Sequence, residues 1–439
     1  MKAKTTVICI LAAAALMLQG CATGQTGSRS KAGKNTDDRI LTYAYHGVRY
    51  RHIDPNGDLK LSEEEHSAAL ERYKAVVDAG IMIMTSDGND GAPEYPAQAL
   101  LQLDLAQEAG LKLAVPVGCY FERPEDMKAM VELIRNHPAL WGYQVIDEPS
   151  AKRFPEIAEA VSIIRANDQN HPCYINLHGS NVTYGPYGSV LTDTYKEYVE
   201  LFIEQVHPDF VSFDEYPCLE SGVMDGWYNT LTEMMEYTKA AGLPLWAFAS
   251  SCKFANSIRT MIQTTPNMAT LRLQHYTNLA YGAQCLEHFT WASTGGVEIA
   301  ANWPLGYDGN INPEGSYYVV KEALEEIQNR AFVFKDCDVQ WVGHLTDVPR
   351  GAKAFDPALL PEKVSSINTT DPLLVSYIAN GKARYLMVVS RSHLEDSAVE
   401  ITFARNVQQI DREGKKVKTA KGLHAYPIEK GDALIFQLQ

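Results

Sequence analysis

Between about residues 40 and 335, short apolar runs alternate with longer segments in which apolar residues recur at i, i+3, i+4 and i+7. The short runs are typical of buried strands and the longer ones of amphipathic helices. Eight strands are predicted, in ILTYAYH, IMIMTSD, LKLAVPVG, WGYQVIDE, CYINLHG, DFVSFDEYP, LPLWAFAS and CLEHFTWAS. Eight β–α repeats predict the α/β architecture of a (β/α)8 TIM barrel. A doubly wound sheet is the rival, but it seldom needs eight parallel strands in a row.

The pattern changes near residue 336, where short alternating strands with hairpin signals replace the strand–helix repeat. In LLVSYIANGKARYLMVVS, Asn380-Gly381 separates two β-rich runs, which is a strong hairpin signal. The chain therefore predicts a catalytic barrel over residues 39–335, followed by a small C-terminal antiparallel β-sandwich over residues 336–439.

The N-terminus has the pattern of an export signal. Lys2 and Lys4 precede the apolar run VICILAAAALML, and the segment LQGC ends at Cys21. A basic region, an apolar region and small residues at the cleavage point define a secretory signal. LQGC also resembles the bacterial lipobox, in which the Cys is acylated. We therefore predict a lipoprotein signal peptide over residues 1–20, lipidation of Cys21 and a flexible tether over residues 21–38. The alternative is an ordinary signal peptide that contains a cysteine.

Composition and charge narrow the classes of partner. The chain of 439 residues is 46% hydrophobic, which is typical of globular proteins. Its formal charge of -15 argues against binding to nucleic acid, which needs clustered Lys and Arg. The six cysteines after Cys21 lack close C-x-x-C spacing, so no zinc site is predicted. A disulfide between Cys218 and Cys252 is left open.

The segment DPNGDLKLSEEE, from Asp54 to Glu65, has Asp, Asn and Asp at its first, third and fifth positions and Glu at its twelfth. This is the ligand spacing of an EF-hand calcium loop. The sixth position needs Gly for a sharp turn and is Leu59 here. The favoured interpretation is a polar turn before the first helix, with Ser62 as N-cap and Glu65 completing a capping box. No metal site is predicted.

Catalytic groups of a (β/α)8 barrel lie at the C-terminal ends of its strands. Here WGYQVIDEPS ends a buried strand in Asp147 and Glu148, and FDEYP ends another in Asp214 and Glu215. Carboxyl groups among aromatic residues suit glycosidic cleavage, in which one acid protonates the leaving oxygen and a carboxylate attacks the anomeric carbon or activates water. The candidates for substrate binding are Tyr45, Asp87, Asp147, Asn176, His178, Tyr216, Trp246, His288 and Trp291.

The segments GYQVIDEPS, HPCYINLHG, DFVSFDEYP, LPLWAFA and LRLQHYTNLAYGAQCLEHFTW occur in order and at barrel spacing. They resemble family 42-like, β-galactosidase-like lipoproteins of Bacteroidetes-type bacteria, over strands four to eight. The resemblance implies a glycoside hydrolase of the large clan of (β/α)8 barrels, with Glu148 as acid/base. The clan usually has Asn-Glu at this point, whereas this chain has Asp147-Glu148. We expect burial or Asp147 to raise the pKa of Glu148.

One departure from the clan concerns the second carboxylate. The clan's nucleophile is a Glu at the end of strand seven, but LPLWAFASSCKF contains no acid. Asp214 is the preferred replacement, with Glu215, Asp87 and Glu287 as alternatives. Because side chains alternate along a strand, only one of Asp214 and Glu215 is expected to face the mouth. A close pair of carboxyl groups would indicate a retaining mechanism and a distant pair an inverting one.

Some of these residues also have structural interpretations. Asp147 and Glu148 would be favoured in the first turn of a helix by its dipole. Asp214 would then only orient a neighbour by hydrogen bonding. A Trp in a barrel strand is more often part of the core, and His288 would be a hydrogen-bonded barrel histidine.

The predicted function is that of an exported, lipid-anchored glycoside hydrolase of the bacterial cell envelope. It would cleave O-glycosidic bonds of a polysaccharide or oligosaccharide without a cofactor. The expected partners are a carbohydrate substrate and, through Cys21, a lipid membrane. The alternative is a non-catalytic glycan-binding lipoprotein, which the bare seventh strand favours. A third interpretation is a barrel enzyme with a non-sugar substrate, because fold alone does not decide function.

Overall fold

A computed structural model describes residues 38–88, 92–255, 262–293 and 302–439. The predicted signal peptide, Cys21 and most of the predicted tether lie outside these residues. None of the helices in the described part of the chain has the length and hydrophobicity that a transmembrane span requires.

Eight parallel strands form a closed barrel in which each strand is hydrogen-bonded to the next along the chain and the last to the first. The strands are β1 Leu41–Ala44, β2 Ile83–Thr85, β3 Lys112–Pro116, β4 Leu140–Asp147, β5 Cys173–His178, β6 Val211–Asp214, β7 Leu245–Ser250 and β8 Ala283–Phe289. Each overlaps a predicted strand, so the predicted (β/α)8 barrel is confirmed.

Helices follow the strands and form the outer layer of the barrel. They are α1 Glu63–Asp78, α2 Tyr95–Ala109, α3 Pro124–Ile134, α4 Phe154–Asn167, α5 Tyr195–Val206, α6 Asp225–Ala241, α7 Met268–Ala280, α8 Tyr317–Asn329 and the short α9 Ala331–Phe334. A small hairpin of Cys218–Leu219 with Gly222–Val223 precedes α6.

The EF-hand-like segment before α1 forms the predicted capping box. The Ser62 side chain accepts a hydrogen bond from the Glu65 N–H, and the Glu65 carboxylate accepts one from the Ser62 N–H. The Asp54 carboxylate accepts hydrogen bonds from the N–H groups of Gly57 and Leu59. Protein donors therefore satisfy the first and last acids of the segment.

Aromatic side chains fill the barrel interior beneath the mouth. Phe210 and Trp246 stack with ring centroids 3.9 Å apart, and Tyr43 stacks on Tyr174 at 4.8 Å. Trp246 is buried and is the second residue of β7, near the N-terminal end of that strand. Trp246, which the sequence predicted to bind substrate, therefore lies at the closed end of the barrel, where bulky side chains must pack.

Nine further strands form the C-terminal domain. They are β9 Asp338–Leu345, β10 Val364–Asn368, β11 Leu373–Asn380, β12 Ala383–Ser390, β13 Ser397–Phe403, β14 Val407–Ile410, β15 Lys416–Thr419, β16 Gly422–Ile428 and β17 Ala433–Gln437. One sheet has the order β9-β11-β12-β17-β14-β15, and the other has the order β10-β13-β16. Val375 and Val388 of the first sheet pack with Ile401 and Phe403 of the second. The predicted antiparallel β-sandwich is thus confirmed, including the hairpin at Asn380-Gly381, where β11 pairs with β12.

Helix α7 joins the barrel to the sandwich. Every residue from 269 to 280 is buried, because one side of α7 packs on barrel strands and the other on the six-stranded sheet. Alternation along β11 directs Val375 into the sandwich core and Ile378 into the core shared with the barrel. The Ser376 hydroxyl donates to the Ala280 carbonyl at 2.8 Å. The sheet therefore covers the side of α7 that water would otherwise reach.

None of the cysteines in the described residues takes part in a disulfide. Cys218 and Cys252 are both buried, and the disulfide that the sequence left open is not formed. Burial raises the pKa of the Cys218 thiol, so it is an unreactive core side chain.

We expect Ile378→Asp to destabilise the barrel and the sandwich together, because it places an unpaired carboxylate in their shared core. Such a charge costs about 3–5 kcal/mol. Urea unfolding followed by fluorescence and circular dichroism should give one lowered midpoint. Leu423→Asp is the control, since Leu423 is 62% exposed. Equal midpoints in the two variants would contradict the shared core.

Candidate active site

The C-terminal ends of β4, β5 and β6 bring five polar side chains together at the mouth of the barrel. The parallel register places Asp147 beside Asn176 and His178 beside Asp214. Glu148 directly follows β4. The sequence predicted all five as site residues, and the structure places them in one hydrogen-bonded group.

Glu148 leaves the strand in the left-handed region of backbone conformation, with φ 43°. Its N–H donates to the Asn176 carbonyl at 2.9 Å, so the ladder with β5 holds the turn in place. This conformation lets consecutive acids, Asp147 and Glu148, both reach the mouth, which regular alternation forbids. A non-glycine residue with positive φ stores about 1–3 kcal/mol, and such residues cluster at functional sites.

The Asn176 amide bridges two of the acids. Its Nδ2 donates to Asp147 Oδ1 and to Asp214 Oδ1, each at 3.0 Å. The Tyr45 hydroxyl is hydrogen-bonded to Asp147 and accepts a hydrogen bond from Gln144 Nε2 at 2.8 Å. Asn176 and Tyr45 are buried, and these contacts fix the two carboxyl groups in position.

Contact with a histidine lowers the pKa of Glu148. Burial by itself would raise its pKa, but a hydrogen bond and the charge of His178, together with a hydrogen bond from Asp214, outweigh burial and lower it. His178 Nδ1 lies 3.0 Å from Glu148 Oε1. The expectation of a raised pKa at Glu148 is therefore wrong, because the sequence around Glu148 does not show its contact with His178.

Asp214, and not Glu148, has a pKa well above its ordinary value. Burial raises its pKa well above the ordinary value, and the negative charges of Glu148 and Asp147 raise it further. Burial and the charge of Glu148 also raise the pKa of Asp147, against the hydrogen bond from Asn176. The resulting arrangement is an Asp214 carboxylic acid hydrogen-bonded to a Glu148 carboxylate.

Glu287 lies beneath this group, inside the barrel on β8. It is fully buried and accepts a hydrogen bond from the Tyr174 hydroxyl at 2.7 Å, while its other oxygen lies 2.6 Å from Ser212 Oγ. Burial raises the pKa of Glu287 to about 8, although both hydrogen bonds oppose the shift. Glu287 does not reach the mouth, so it is not the second carboxylate at the mouth.

Glu215 faces away from the mouth, as alternation along β6 requires for one of the two neighbouring acids. It is buried, and Thr230 of α6 donates to its Oε2 at 2.6 Å. Burial raises the pKa of Glu215 to about 7. Glu215, which the sequence offered as a catalytic candidate, therefore points towards α6, and Asp214 takes the inward position.

Two more predicted substrate-binding residues point outward. His288 is fully buried, and its Nε2 lies 3.1 Å from Nε2 of His275 on α7. Trp291 is also fully buried, with its ring 6.3 Å from that of Tyr317 on α8. Both side chains fill the layer between strands and helices and do not join the group at the mouth.

Tyr216 and Asp87 lie at the rim. The Tyr216 ring packs against Phe248, Phe254 and Phe289 and contributes an aromatic wall next to Asp214. Asp87 accepts hydrogen bonds from the Arg49 side chain at 3.0 Å and the Tyr50 N–H at 2.8 Å. It faces a cavity of 390 Å³ lined by His46, Arg49, Thr85, Ser86, Asp87, Gly88, Tyr95, Pro116, Gly118, Phe121, Gln144, Val145, Ile146 and Arg153.

Sequence reasoning missed Gln144, Tyr174 and Ser212. Two of them had a detectable signal, because Tyr174 precedes Asn176 by two residues and Ser212 precedes Asp214 by two, so each pair shares one side of its strand. Gln144 had none, since the pairing of β4 with β5 is irregular at this point. Within the described residues, no cluster of three or more His, Cys, Asp or Glu side chains is arranged to hold a metal ion.

Solved structures share this combination of barrel and C-terminal domain. A catalytic mutant of Gan42B, a GH42 β-galactosidase from G. stearothermophilus, is 9% identical with a TM-score of 0.60, over 92% of this chain and 98% of that chain. The β-galactosidase from Bacillus circulans sp. alkalophilus is 9% identical with a TM-score of 0.57, over 91% and 99%. AbfB, a family 51 α-L-arabinofuranosidase from Bifidobacterium longum, is 10% identical with a TM-score of 0.50, over 91% and 95%.

These likenesses establish the fold that the sequence resemblance implied, a (β/α)8 barrel of the kind found in glycoside hydrolases. The match to a β-galactosidase from the psychrophilic Marinomonas ef1, with a TM-score of 0.48 and 12% identity, covers 66% of this chain and 60% of that chain. No family model matches this chain, and no curated protein matches it either.

Replacing Glu287 by Gln should make the chain relatively more stable as pH rises. The pKa of Glu287 is raised from 4.5 to about 8 by burial, so the stability that its proton contributes is present below 4.5 and lost as pH rises through about 8. Gln cannot ionise, and the difference in unfolding free energy from wild type should change by on the order of 5 kcal/mol across this window.

Urea unfolding at several pH values measures this difference. Glu215→Gln is the matched control, and its difference should stop changing near pH 7, where the raised pKa of Glu215 lies. A pH-independent difference for Glu287→Gln would contradict the buried, protonated acid.

Proposed function

We propose that this chain is a glycoside hydrolase that cleaves O-glycosidic bonds with Asp214 and Glu148. The observation that carries the proposal is the hydrogen-bonded pair at the barrel mouth, in which the pKa of one carboxyl group is raised and that of the other is lowered. Glycosidic cleavage needs this division of labour, with a proton donor and an ionised carboxylate side by side.

In this proposal Asp214 is the general acid and Glu148 is the carboxylate that attacks the anomeric carbon. Asp214 protonates the leaving oxygen, and the glycosyl–Glu148 ester is then hydrolysed by a water that Asp214 deprotonates. These roles are the reverse of those implied by the family resemblance. The two carboxyl groups are hydrogen-bonded to each other and must move apart for a sugar to enter between them. Their short separation is nearer to the about 5–5.5 Å of retaining enzymes than to the about 6.5–9.5 Å of inverting ones, which favours retention.

The neighbouring residues have supporting roles. His178 keeps Glu148 ionised, and Asn176 holds Asp214 and Asp147 at fixed positions. Asp147 accepts hydrogen bonds from sugar hydroxyls, and the Tyr45 hydroxyl, which is hydrogen-bonded to Asp147, holds that carboxyl group in place. With both carboxyl groups supplied by β4 and β6, the absence of an acid on β7 does not prevent the reaction.

The structural neighbours support the substrate class. Gan42B and the Bacillus circulans protein are described as β-galactosidases, and AbfB as an α-L-arabinofuranosidase. We therefore propose a carbohydrate substrate for this chain. A glycan-binding protein without catalysis is the second candidate, and it is favoured by the bare seventh strand.

We also propose that the protein is exported and anchored to a bacterial membrane through Cys21. The sequence LQGC after a basic and apolar N-terminus supports this. Cys21→Ala should move the protein from the membrane fraction to the soluble fraction and abolish incorporation of labelled fatty acid. Cys119→Ala is the matched control, and fatty-acid labelling that survives in Cys21→Ala would contradict the anchor.

The roles of the two acids can be separated with substrates that differ in their leaving group. Asp214→Asn should lower turnover of unactivated glycans by about 10²–10⁴-fold, because general acid catalysis is lost. It should retain much more activity towards dinitrophenyl glycosides, whose leaving group needs no proton. Glu148→Gln should lose activity towards both substrates, since no carboxylate remains to attack.

Glu215→Gln is the control, because Glu215 is the acid next to Asp214 in the sequence but faces α6. The opposite pattern, with activated glycosides spared by Glu148→Gln, would exchange the two roles. Glycan binding without turnover in wild type, measured over a panel of plant, algal and host glycans, would favour the binding protein instead. An absence of both binding and turnover would contradict a carbohydrate substrate.

A further inference from the structure

A chain of hydrogen bonds runs from the buried acid Glu287 up to the two acids bridged at the mouth. Ser212 Oγ lies 2.6 Å from Glu287 Oε2 and 3.0 Å from Asn176 Oδ1. The same Asn176 amide donates through Nδ2 to Asp147 and to Asp214. Ser212 is fully buried and Asn176 nearly so, so water does not replace these contacts.

The direction of these hydrogen bonds depends on one proton. The Ser212 hydroxyl has a single proton but two acceptors within 3.0 Å, Glu287 Oε2 and Asn176 Oδ1. The other Glu287 oxygen already accepts from the Tyr174 hydroxyl. All acceptors are satisfied only when Glu287 Oε2 carries a proton and donates it to Ser212, which then donates to Asn176.

The orientation of the Asn176 amide is fixed by its partners. Two carboxyl oxygens face one end of the amide and a hydroxyl faces the other, so the NH2 group must point towards Asp147 and Asp214. The direction in which the Ser212 hydroxyl donates therefore affects how the Asn176 amide is held against both acids.

We propose that Glu287 is a positioning residue whose proton sets the direction of the hydrogen bonds through Ser212 and Asn176 and so holds Asp214 and Asp147 in place for the reaction. This inference rests on the proposed function of Asp214. It assigns a role to a buried acid that the mechanism itself does not use.

The surroundings of Glu287 favour the protonated form. Tyr174 of β5, Tyr43 of β1 and Cys285 of β8 interact with it inside the barrel, and Asp147 at the mouth is the nearby negative charge. With these neighbours and full burial, its pKa is raised to about 8. Glu287 is therefore protonated at neutral pH and ionises in mildly alkaline solution.

Ionisation of Glu287 would reverse the direction of the hydrogen bond between Glu287 and Ser212. Ser212 would turn its proton to the Glu287 carboxylate, and Asn176 Oδ1 would lose its donor. The amide would then be held at one end only, and Asp214 would lose its fixed partner. We therefore expect kcat to fall as Glu287 ionises, in addition to the loss caused by ionisation of Asp214 itself.

Glu287→Gln tests this directly, because the Gln amide donates to Ser212 and accepts from Tyr174, as protonated Glu287 does. At about pH 6 we expect kcat within about threefold of wild type, since the hydrogen bonds are the same. The alkaline limb of the kcat/KM profile should lose one of its two ionisations. Glu215→Gln, the control acid on the outer side of β6, should keep both.

Ser212→Ala should interrupt the series of hydrogen bonds between Glu287 and Asn176. We expect kcat to fall about tenfold with KM nearly unchanged, because a hydrogen bond to a charged network is lost. Adding Glu287→Gln to Ser212→Ala should then leave the pH profile unchanged, since the connection is already cut. Independent effects of the two substitutions on the pH profile would overturn the proposal.

Infrared difference spectra give a readout that needs no activity. The spectrum of wild type minus Glu287→Gln should contain a carboxylic-acid C=O band that disappears as pH rises through about 8. A missing band would overturn the inference even if the protein is a hydrolase. If the band is present but no glycan is cleaved, the proposed function fails and the catalytic role of Glu287 fails with it, while its protonated state stands.

Discussion

The cost of burying carboxyl groups at the mouth of the barrel is the constraint on which the rest of the site depends. An isolated buried carboxylate is expensive, and several of them together repel one another. The chain meets this cost by sharing a proton between Asp214 and Glu148, by pairing Glu148 with His178, and by placing the Asn176 amide between Asp214 and Asp147. The same contacts therefore set the protonation states of the acids and stabilise the folded protein.

Backbone geometry makes this sharing possible. The positive φ of Glu148 turns its side chain back towards Asp214, while the Glu148 N–H still completes the ladder to Asn176. Without this turn, one of the two acids of the IDEP segment would face the outer helices. The fixed strand ladder supplies the energy that an unfavourable left-handed residue requires.

The sandwich domain contributes through α7. This helix packs on β7 and β8 on one side and on the six-stranded sheet on the other, and His275 on α7 meets His288 of β8 in the layer between. The polar ring atoms of these histidines are buried outside the barrel interior. The sheet therefore closes the layer that supports the strands whose inward faces carry Glu287 and line the site.

The order of strands and helices could be predicted from the sequence, because hydrophobic periodicity and turn residues are local properties of the chain. The sequence also determined that Asp147, Glu148 and Asp214 end their strands. Which polar side chains face inward, and which of them are protonated, depends on contacts that form only in the folded protein. Glu215 and His288 follow the same strand-end pattern as Asp214, yet alternation turned them towards the helices. The pKa of Glu148 depends on His178, 30 residues away in the chain and 3.0 Å away in space, and no local pattern contains that distance.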